Sequence, residues 1–374
     1  MATRRELLAS GVGVGAAGLA GCAGSPDADG RNRTRESDAA PVDARIGLVG
    51  DLMLGRSVAD RWADADDPAG VWGSTLPRLR RLDGLVGNLE GCLSDGGTRW
   101  PEKTYYFRSP PSFAVPALEA AGTAFVSLAN NHALDYRAPA LRDTRTHLSE
   151  AGIAHAGAGP DADAALDPAV FDVADLTVAA FGLTDQSAAF AATRADLGTA
   201  FARLDPSAAE TRALVGDALD RAAARNPDLV VASLHWGPNW ETEPRAVHEA
   251  FGRWLVDRGV DVVHGHSAHV LQGVEVYEGS PIVYDAGDFV DDYVSYRDRQ
   301  GVYNKRSALF ELIVRDGDLD ELRVVPTEIV DETATLADGE VAAWVRDAVA
   351  ERSAPYGPTI ERTGDALVVP LSRE

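Results

Sequence analysis

Five polar clusters stand where apolar runs end. They are Asp51 in Gly50-Asp51-Leu52-Met53, Asn88 with Glu90, Asn130-Asn131-His132, His235-Trp236-Gly237, and His264-Gly265-His266-Ser267-Ala268-His269. Four of them follow runs of the kind that make buried strands, at 46–49, 125–128, 229–232 and 260–263. Carboxylate, carboxamide and imidazole gathered at one sheet edge suit a hydrolytic divalent cation, one or two ions of Mn, Fe or Zn, and no clustered cysteine offers a thiolate site. A carboxylate between two cations would let both polarise one water, and Glu90 is the best candidate for that bridge.

These clusters need a scaffold that brings strand ends together. Apolar runs and breakers predict strands ending at 51 and 87, and others over 125–129, 228–234, 260–263, 273–277, 282–284 and 366–369. Helices are predicted over 77–82, 111–121, 139–151, 207–225, 243–258 and 339–352, with Ser207 as an N-cap. Hairpins should turn at Ala174-Asp175 and Asp316-Gly317. Such mixed pairing excludes a simple parallel barrel. It predicts an α/β protein of stacked mixed sheets with helices outside.

The chain has 374 residues and a formal charge of -23, and its only lysines are Lys103 and Lys305. A surface so acidic repels a phosphate backbone, which excludes nucleic acid as a partner, and it fits a protein that works at high salt. Residues 1–22 read as a targeting segment: Arg4-Arg5 form a twin-arginine pair, a weakly apolar stretch too short to span a bilayer follows, and Leu19-Ala20-Gly21-Cys22 resembles a lipobox. Cys22 would carry a lipid, making the protein extracytoplasmic and anchored to the membrane. Residues 23–44, polar and poor in large apolar side chains, read as a flexible tether. The folded body spans 45–330, with a C-terminal helix and strand over 331–374 packing on it. Once the targeting segment is removed, Cys92 is the one remaining cysteine and no intrachain disulfide is expected.

Six motifs in order resemble the CapA-like proteins of poly-γ-glutamate capsule synthesis: Gly-Asp-x-Met-x-Gly-Arg at 50–56, Asn-Leu-Glu at 88–90, Asn-Asn-His-x-x-Asp-Tyr at 130–136, His-Trp-Gly at 235–237, Gly-His-x-x-His-Val-x-Gln-Gly at 265–273 and Gly-Asp-Phe at 287–289. That family looks like a branch of the calcineurin-like metallophosphatases. The resemblance implies a four-layer α-β-β-α sandwich, with Asp51 and Asn131 as metal ligands and His132 as the neighbouring catalytic histidine. His235 and one or two of His264, His266 and His269 would complete the metal shell. On a strand, His264 and His266 share a face, whereas His269 aligns better with the family's His-Val. This chain also departs from the superfamily pattern. Met53 stands where a histidine is usual, and Asn88 with Glu90 replaces a bridging aspartate.

Other residues carry two readings. Arg56 either holds an anion by a bidentate pair or is solvated, and Asp288 either orients a ligating histidine or caps a turn. Asn88 is a candidate substrate contact. Trp100, Tyr105 and Tyr106 form either a wall over the site or ordinary loop packing, while Asp291-Asp292 read as a solvated acidic turn. Two functions follow: a metallohydrolase acting on a phosphoester or an anionic cell-surface polymer, or a non-catalytic factor for export or anchoring of capsule polymer.

Overall fold

A computed structural model describes residues 41–296 and 302–371; Arg4, Arg5, Cys22 and residues 23–40 of the tether lie outside them. Two main sheets carry the fold. In chain order their strands are β1 (Ala44–Leu52), β2 (Gly84–Leu89), β3 (Thr123–Ser127), β4 (Ala154–Ala156), β5 (Ala169–Val173), β6 (Leu176–Thr184), β7 (Leu229–His235), β8 (Val262–His266), β9 (Val274–Tyr277), β10 (Ser280–Val283), β11 (Asp288–Val290), β12 (Arg306–Arg315), β13 (Asp318–Val330), β14 (Thr333–Leu336), β15 (Glu361–Thr363) and β16 (Ala366–Pro370). The larger sheet has ten strands in the order β15-β16-β13-β12-β1-β2-β3-β4, with β11 on β1 and β14 on β13. The smaller has six, β9-β10-β8-β7-β6-β5.

Parallel pairing runs from β1 through β2 and β3 to β4 in one sheet, and through β6, β7, β8 and β10 in the other. The remaining neighbours are antiparallel, apart from β11, which lies parallel to β1. Parallel strands put all their carboxyl ends on one edge. That edge is where the polar clusters fall.

The layers follow from alternation along the strands. Leu48, Val86, Phe125, Val178, Val231, Val262 and Phe310 meet between the sheets. Leu85 and Val126 face outward onto α1 (Pro111–Ala120) and α2 (Arg137–Glu150) through Phe113, Leu118 and Leu141. On the other side Phe181, Leu234 and Val263 face α3 (Ala209–Ala223) and α4 (Ala246–Asp257) through Val215, Phe251 and Leu255. Three separate cores therefore divide four layers, α-β-β-α. A last helix, α5 (Gly339–Ser353), joins the middle core through Val345 and Val349. Among the described residues no helix is long and apolar enough to cross a membrane.

Both hairpin turns lie as predicted, with Val173 paired to Leu176 and Arg315 to Asp318. Two local expectations fail. The helix expected over 77–82 is a single turn, Leu76–Leu79, after which the N–H groups of Arg81 and Leu82 bond three residues back to Arg78 and Leu79. Ser207 does not cap α3, since its hydroxyl donates to Asp205 at 2.7 Å and the capping position falls to Ala208.

Candidate metal centre

Asp51 ends β1, where the chain passes unusually close to the Gly-Asp-Phe segment. A Cβ on Gly50 would lie 1.8 Å from the Gly287 carbonyl oxygen, so only glycine admits this approach. The same reasoning explains Gly265 between two histidines, where a Cβ would lie 2.1 Å from the Tyr284 carbonyl. His235 ends β7 directly opposite His266 at the end of β8. Beyond β8 the chain turns back through left-handed conformations at Ser267 (φ 108°) and His269 (φ 57°). This turn aims the Ser267 N–H at Asp51 Oδ2, 3.2 Å away, and brings His269 to the same oxygen.

Two groups of donors result, and they share Asp51. In the first, Asp51 Oδ1, His235 Nδ1 and His266 Nδ1 are separated by 3.1, 3.5 and 3.8 Å. Those spacings fit donors standing about 2.1 Å from one ion. In the second, His269 Nδ1 lies 3.3 Å from Asp51 Oδ2 and 3.9 Å from Glu90 Oε2. All five residues are buried. Neither carboxylate oxygen of Glu90 has a hydrogen-bond partner among the described residues, an arrangement that a cation would relieve.

Hydrogen bonds to the backbone set which nitrogen of each ring is free. His264 Nε2 donates to the Val49 carbonyl at 2.8 Å, leaving Nδ1 to accept from Ser233 Oγ at 3.2 Å. Ser233 Oγ then accepts from His266 Nε2 at 3.0 Å, so His266 Nδ1 carries a lone pair toward Asp51. His235 Nε2 donates to Asn131 Oδ1 at 3.2 Å, which likewise frees its Nδ1. Two unprotonated imidazole nitrogens thus face each other at 3.1 Å, with the Asn88 amine 3.4 Å from the one on His235. They repel unless something positive sits between them.

The asparagines are ordered in the same way. Asn130 donates to the Leu89 carbonyl at 2.8 Å and accepts from the His132 N–H at 3.0 Å, which fixes its amide. Its Nδ2 also donates to Asn88 Oδ1 at 3.0 Å, which turns the Asn88 amine toward Asp51 Oδ1 at 2.7 Å. His132 donates through Nδ1 to Asp135 Oδ2 at 2.6 Å and presents Nε2 to Glu90 Oε1, 3.7 Å away. Asp135 also accepts from the Phe107 N–H at 2.7 Å and pairs with Lys103, whose ammonium reaches the Asn131 carbonyl as well.

Electrostatics sort these groups by role. Burial opposes ionisation of Asp51, but the hydrogen bond with His269 and the charges that His235, His266 and His269 carry in the acid range where Asp51 titrates outweigh it and hold the carboxyl below the usual range. Burial pushes His132, His235 and His264 down to about 4 each and His266 well down, so all four are neutral at pH 7, the state in which an imidazole can ligate. His269 goes the other way. Burial lowers it, yet Asp288, 2.8 Å from Nδ1, with Tyr293 and Glu90, raises it well above its ordinary value. Burial and the neighbouring Asp51 raise Glu90.

Of the residues singled out in the sequence, Asp51, Glu90, His235, His266 and His269 fall in the two donor groups. His264 does not, because both its nitrogens are engaged with Val49 and Ser233. Asn131 places its Oδ1 3.2 Å from His235 Nε2 and lines the cavity, and Asp288 contacts His269. Asn88 is wholly buried and turned to Asp51. Asp51, not Glu90, is the carboxylate common to both groups. Met53 packs with Phe107 and Tyr293. Asp291 and Asp292 are not a solvated turn: Asp291 is buried against Lys305, and Asp292, its side chain 3 % exposed, holds Arg56 Nε at 2.9 Å.

A cavity of about 280 Å³ opens above this edge, lined by Lys103, Tyr105, Asn131, His132, Trp240 and His269 among others. Tyr105 stands in its wall edge-on to Tyr293, whereas Trp100 turns away to pack on Phe190. Sequence reasoning gave no role to Asn130 and Asp135 beyond their place in the motif at 130–136, nor any to Ser233 and Lys103. A signal existed for the last, since both lysines of an arginine-rich chain lie at this edge, Lys103 on Asp135 and Lys305 on Asp291.

Residues 45–293 match the family model described as "Bacterial capsule synthesis protein PGA_cap". A probable polyglutamine synthesis accessory protein of Mycobacterium tuberculosis H37Rv is 32% identical over 315 residues, covering 80% of this chain and 81% of the relative. The capsule biosynthesis protein CapA of Bacillus anthracis is 32% identical over 285 residues, 75% of this chain and 66% of that protein. The PGA biosynthesis protein CapA of Bacillus subtilis strain 168 is 28% identical over 289 residues, 76% and 72%.

Proposed function

Because the chain belongs to the bacterial capsule synthesis protein family, we propose that it takes part in poly-γ-glutamate capsule synthesis as a divalent-metal-dependent hydrolase, cleaving a phosphoester or an anionic cell-surface polymer. One observation carries the metal: Asp51 divides its two oxygens between the His235/His266 pair and the Glu90/His269 pair, with both Glu90 oxygens left bare. One or two ions of Mn, Fe or Zn would be held there and would supply Lewis-acid polarisation of a water or a substrate oxygen.

The chain's own residues supply the rest. Asp135 keeps the His132 proton on Nδ1, so Nε2 is the atom through which His132 accepts and returns a proton in the cavity. Lys103 holds the other oxygen of Asp135 and lines the cavity as a positive charge for an anionic substrate. Asn131 keeps its Nδ2 available for a substrate oxygen while its Oδ1 fixes His235. Trp240 and Tyr293 form the wall of the cavity around His269. The reading includes export and a lipid on Cys22, which would place the site outside the cytoplasmic membrane.

The test is cleavage of bis(p-nitrophenyl) phosphate and of γ-linked polyglutamate by protein stripped of metal and reloaded with Mn or Zn. Metal-dependent cleavage that is lost in His132→Ala with metal binding kept supports the hydrolase. Polymer binding with no cleavage under any metal would replace it with an export or anchoring factor.

A further inference from the structure

Beside the cavity, on the far side of the 104–107 segment, runs a groove of about 570 Å³ whose lining includes Arg56, Arg99 and Arg108 together with Asp60, Asp64 and Asp95. Each guanidinium rests on an aromatic face. Arg99 lies 5.0 Å from the Tyr106 ring centre, Arg108 4.2 Å from that of Tyr136, and Arg56 5.1 Å from that of Phe107. Such stacking holds the flat of the group against the wall and leaves its N–H edge to the groove.

These edges are short of acceptors. Arg108 donates to the Gly96 carbonyl at 3.0 Å, and Arg99 is bonded to the Tyr136 hydroxyl. Among the described residues neither has a carboxylate partner. Arg56 gives Nε to Asp292, but its Nη1 is buried without any partner. It is also held at φ 55° and ψ −130°, a conformation rare for any residue with a Cβ, directly behind the groove wall. In a chain with 58 acidic residues against 35 basic ones, Arg99 and Arg108, two arginines without a carboxylate partner on one groove, call for an anion from outside.

We propose that this groove is a binding site for an amide-linked chain that bears carboxylates. Its carboxylates would meet the guanidinium groups of Arg99 and Arg108, with the positive charge of Arg56 in the wall beside them. Its amide N–H groups would meet Asp60, Asp64 and Asp95, which can only accept. A phosphodiester chain is also anionic but offers no such donors. The groove also adjoins the cavity: Tyr105 lines the cavity, Tyr106 lines the groove, and Arg56 sits 5.4 Å from the Tyr105 ring centre. A polymer laid along it is thereby delivered to the edge where Asp51 and His132 stand. The polymer's identity rests on the capsule reading above, whereas the binding does not depend on hydrolysis.

The experiment is fluorescence anisotropy of a short fluorescein-labelled γ-linked glutamate oligomer on the full-length protein, beside Arg99→Gln/Arg108→Gln, Arg99→Lys/Arg108→Lys and Arg258→Gln. Arg258 stacks on Trp254 at the end of α4, outside the groove, and serves as the control. The glutamine pair should weaken binding at least about tenfold, the loss expected for charge-assisted pairs. The lysine pair should lie between it and wild type, and Arg258→Gln should match wild type. Polyphosphate of equal length should bind more weakly than the oligomer. Unchanged affinity in the glutamine pair, an equal loss in the control, or tighter binding of polyphosphate would each overturn the proposal. Cleavage separates the two readings. Arginine-dependent binding without cleavage would sink the hydrolase and leave the groove, and metal-dependent cleavage with arginine-independent binding would do the reverse.

Discussion

His264 reaches across from one sheet to the other, its Nε2 donating to the Val49 carbonyl at 2.8 Å. That bond sets the tautomer of His264, then the Ser233 proton, and finally the bare Nδ1 of His266. A histidine that touches neither donor group therefore controls one of their donors. His264→Leu should lower metal affinity about 10- to 100-fold, the usual cost of losing a partner behind a ligand. His264→Gln can make both bonds, through its amine to Val49 and its carbonyl to Ser233, and should keep most of the affinity. Metal titration of both variants checks the direction of the relay. Equal losses in the two would refute it.

The same residue carries a pH signature. Burial pushes His264 down to about 4 from an ordinary 6.5. The unfolded chain takes up a proton near 6.5 and the folded chain does not, so stability present above 6.5 is lost as the pH falls through about 4. The shift is worth on the order of 3 kcal/mol, and His132 and His235, held at about 4, act in the same direction. Glutamine cannot titrate. Denaturant melts of metal-free protein between pH 7 and 4 should therefore show a shallower decline in His264→Gln than in wild type. Parallel curves would mean that His264 protonates as readily folded as unfolded.

Asn88 makes a different kind of test. With Glu90 it stands where the resemblance to the metallophosphatases implies a bridging aspartate, and it donates to Asp51 Oδ1 at 2.7 Å. Asn88→Asp replaces that donor with a second buried carboxylate. Without metal the two negative charges should cost on the order of 3 kcal/mol of stability, and excess Mn or Zn should recover most of it. Thermal unfolding with chelator and with metal reads both halves. A loss that metal leaves untouched would show that Asp51 and position 88 do not face a common cation.

The extent to which the sequence discloses this site follows from how each residue is held. Strand ends are legible because a buried parallel strand is a continuous apolar run, and the polar residue that stops it lies at the edge. Asp51, His235 and His266 are of this kind. His269 is not, since it reaches the site through the left-handed turn at Ser267 and His269, and no periodicity encodes that. Spacing alone suggested His264 with His266 as a pair, and the two do share a face. What it could not disclose is that Val49 arrives from the other sheet to occupy one ring. Sheet order was equally hidden. The strand β11, three residues long, is held by pairing with β1, which depends on close passage at Gly50 and Gly287.

The second donor group should fill after the first. His269 Nδ1 lies 2.8 Å from Asp288 Oδ1, nearer than the 3.3 and 3.9 Å to Asp51 and Glu90, so a cation there competes with an existing hydrogen bond. Calorimetric titration with Mn should resolve a tight equivalent and a weaker one. Glu90→Gln should abolish the weaker step and leave the tighter one, because Glu90 belongs only to the second group. Loss of both steps together would mean that the groups are a single site.

His132 and Asp135 carry the prediction that bears most directly on chemistry. The carboxylate keeps the proton on Nδ1 and orients the ring edge-on to Phe107, whose own N–H binds the same carboxylate oxygen. Neither residue belongs to a donor group, so His132→Ala and Asp135→Asn should each retain the metal content of wild type. Cleavage should fall about 10²- to 10⁴-fold in His132→Ala, the range for loss of a positioned proton-transfer group. Asp135→Asn should fall less in rate and shift the pH profile, because an amide at that position offers the ring a donor or an acceptor and no longer selects the tautomer. Lys103→Met separates the two functions of the lysine: with Asp135 intact, the loss should appear mainly in KM for an anionic substrate. Should His132→Ala cleave as fast as wild type while holding the same metal, proton transfer at Nε2 is not part of the reaction, and the cavity above Asp51 would have to be read as a binding site.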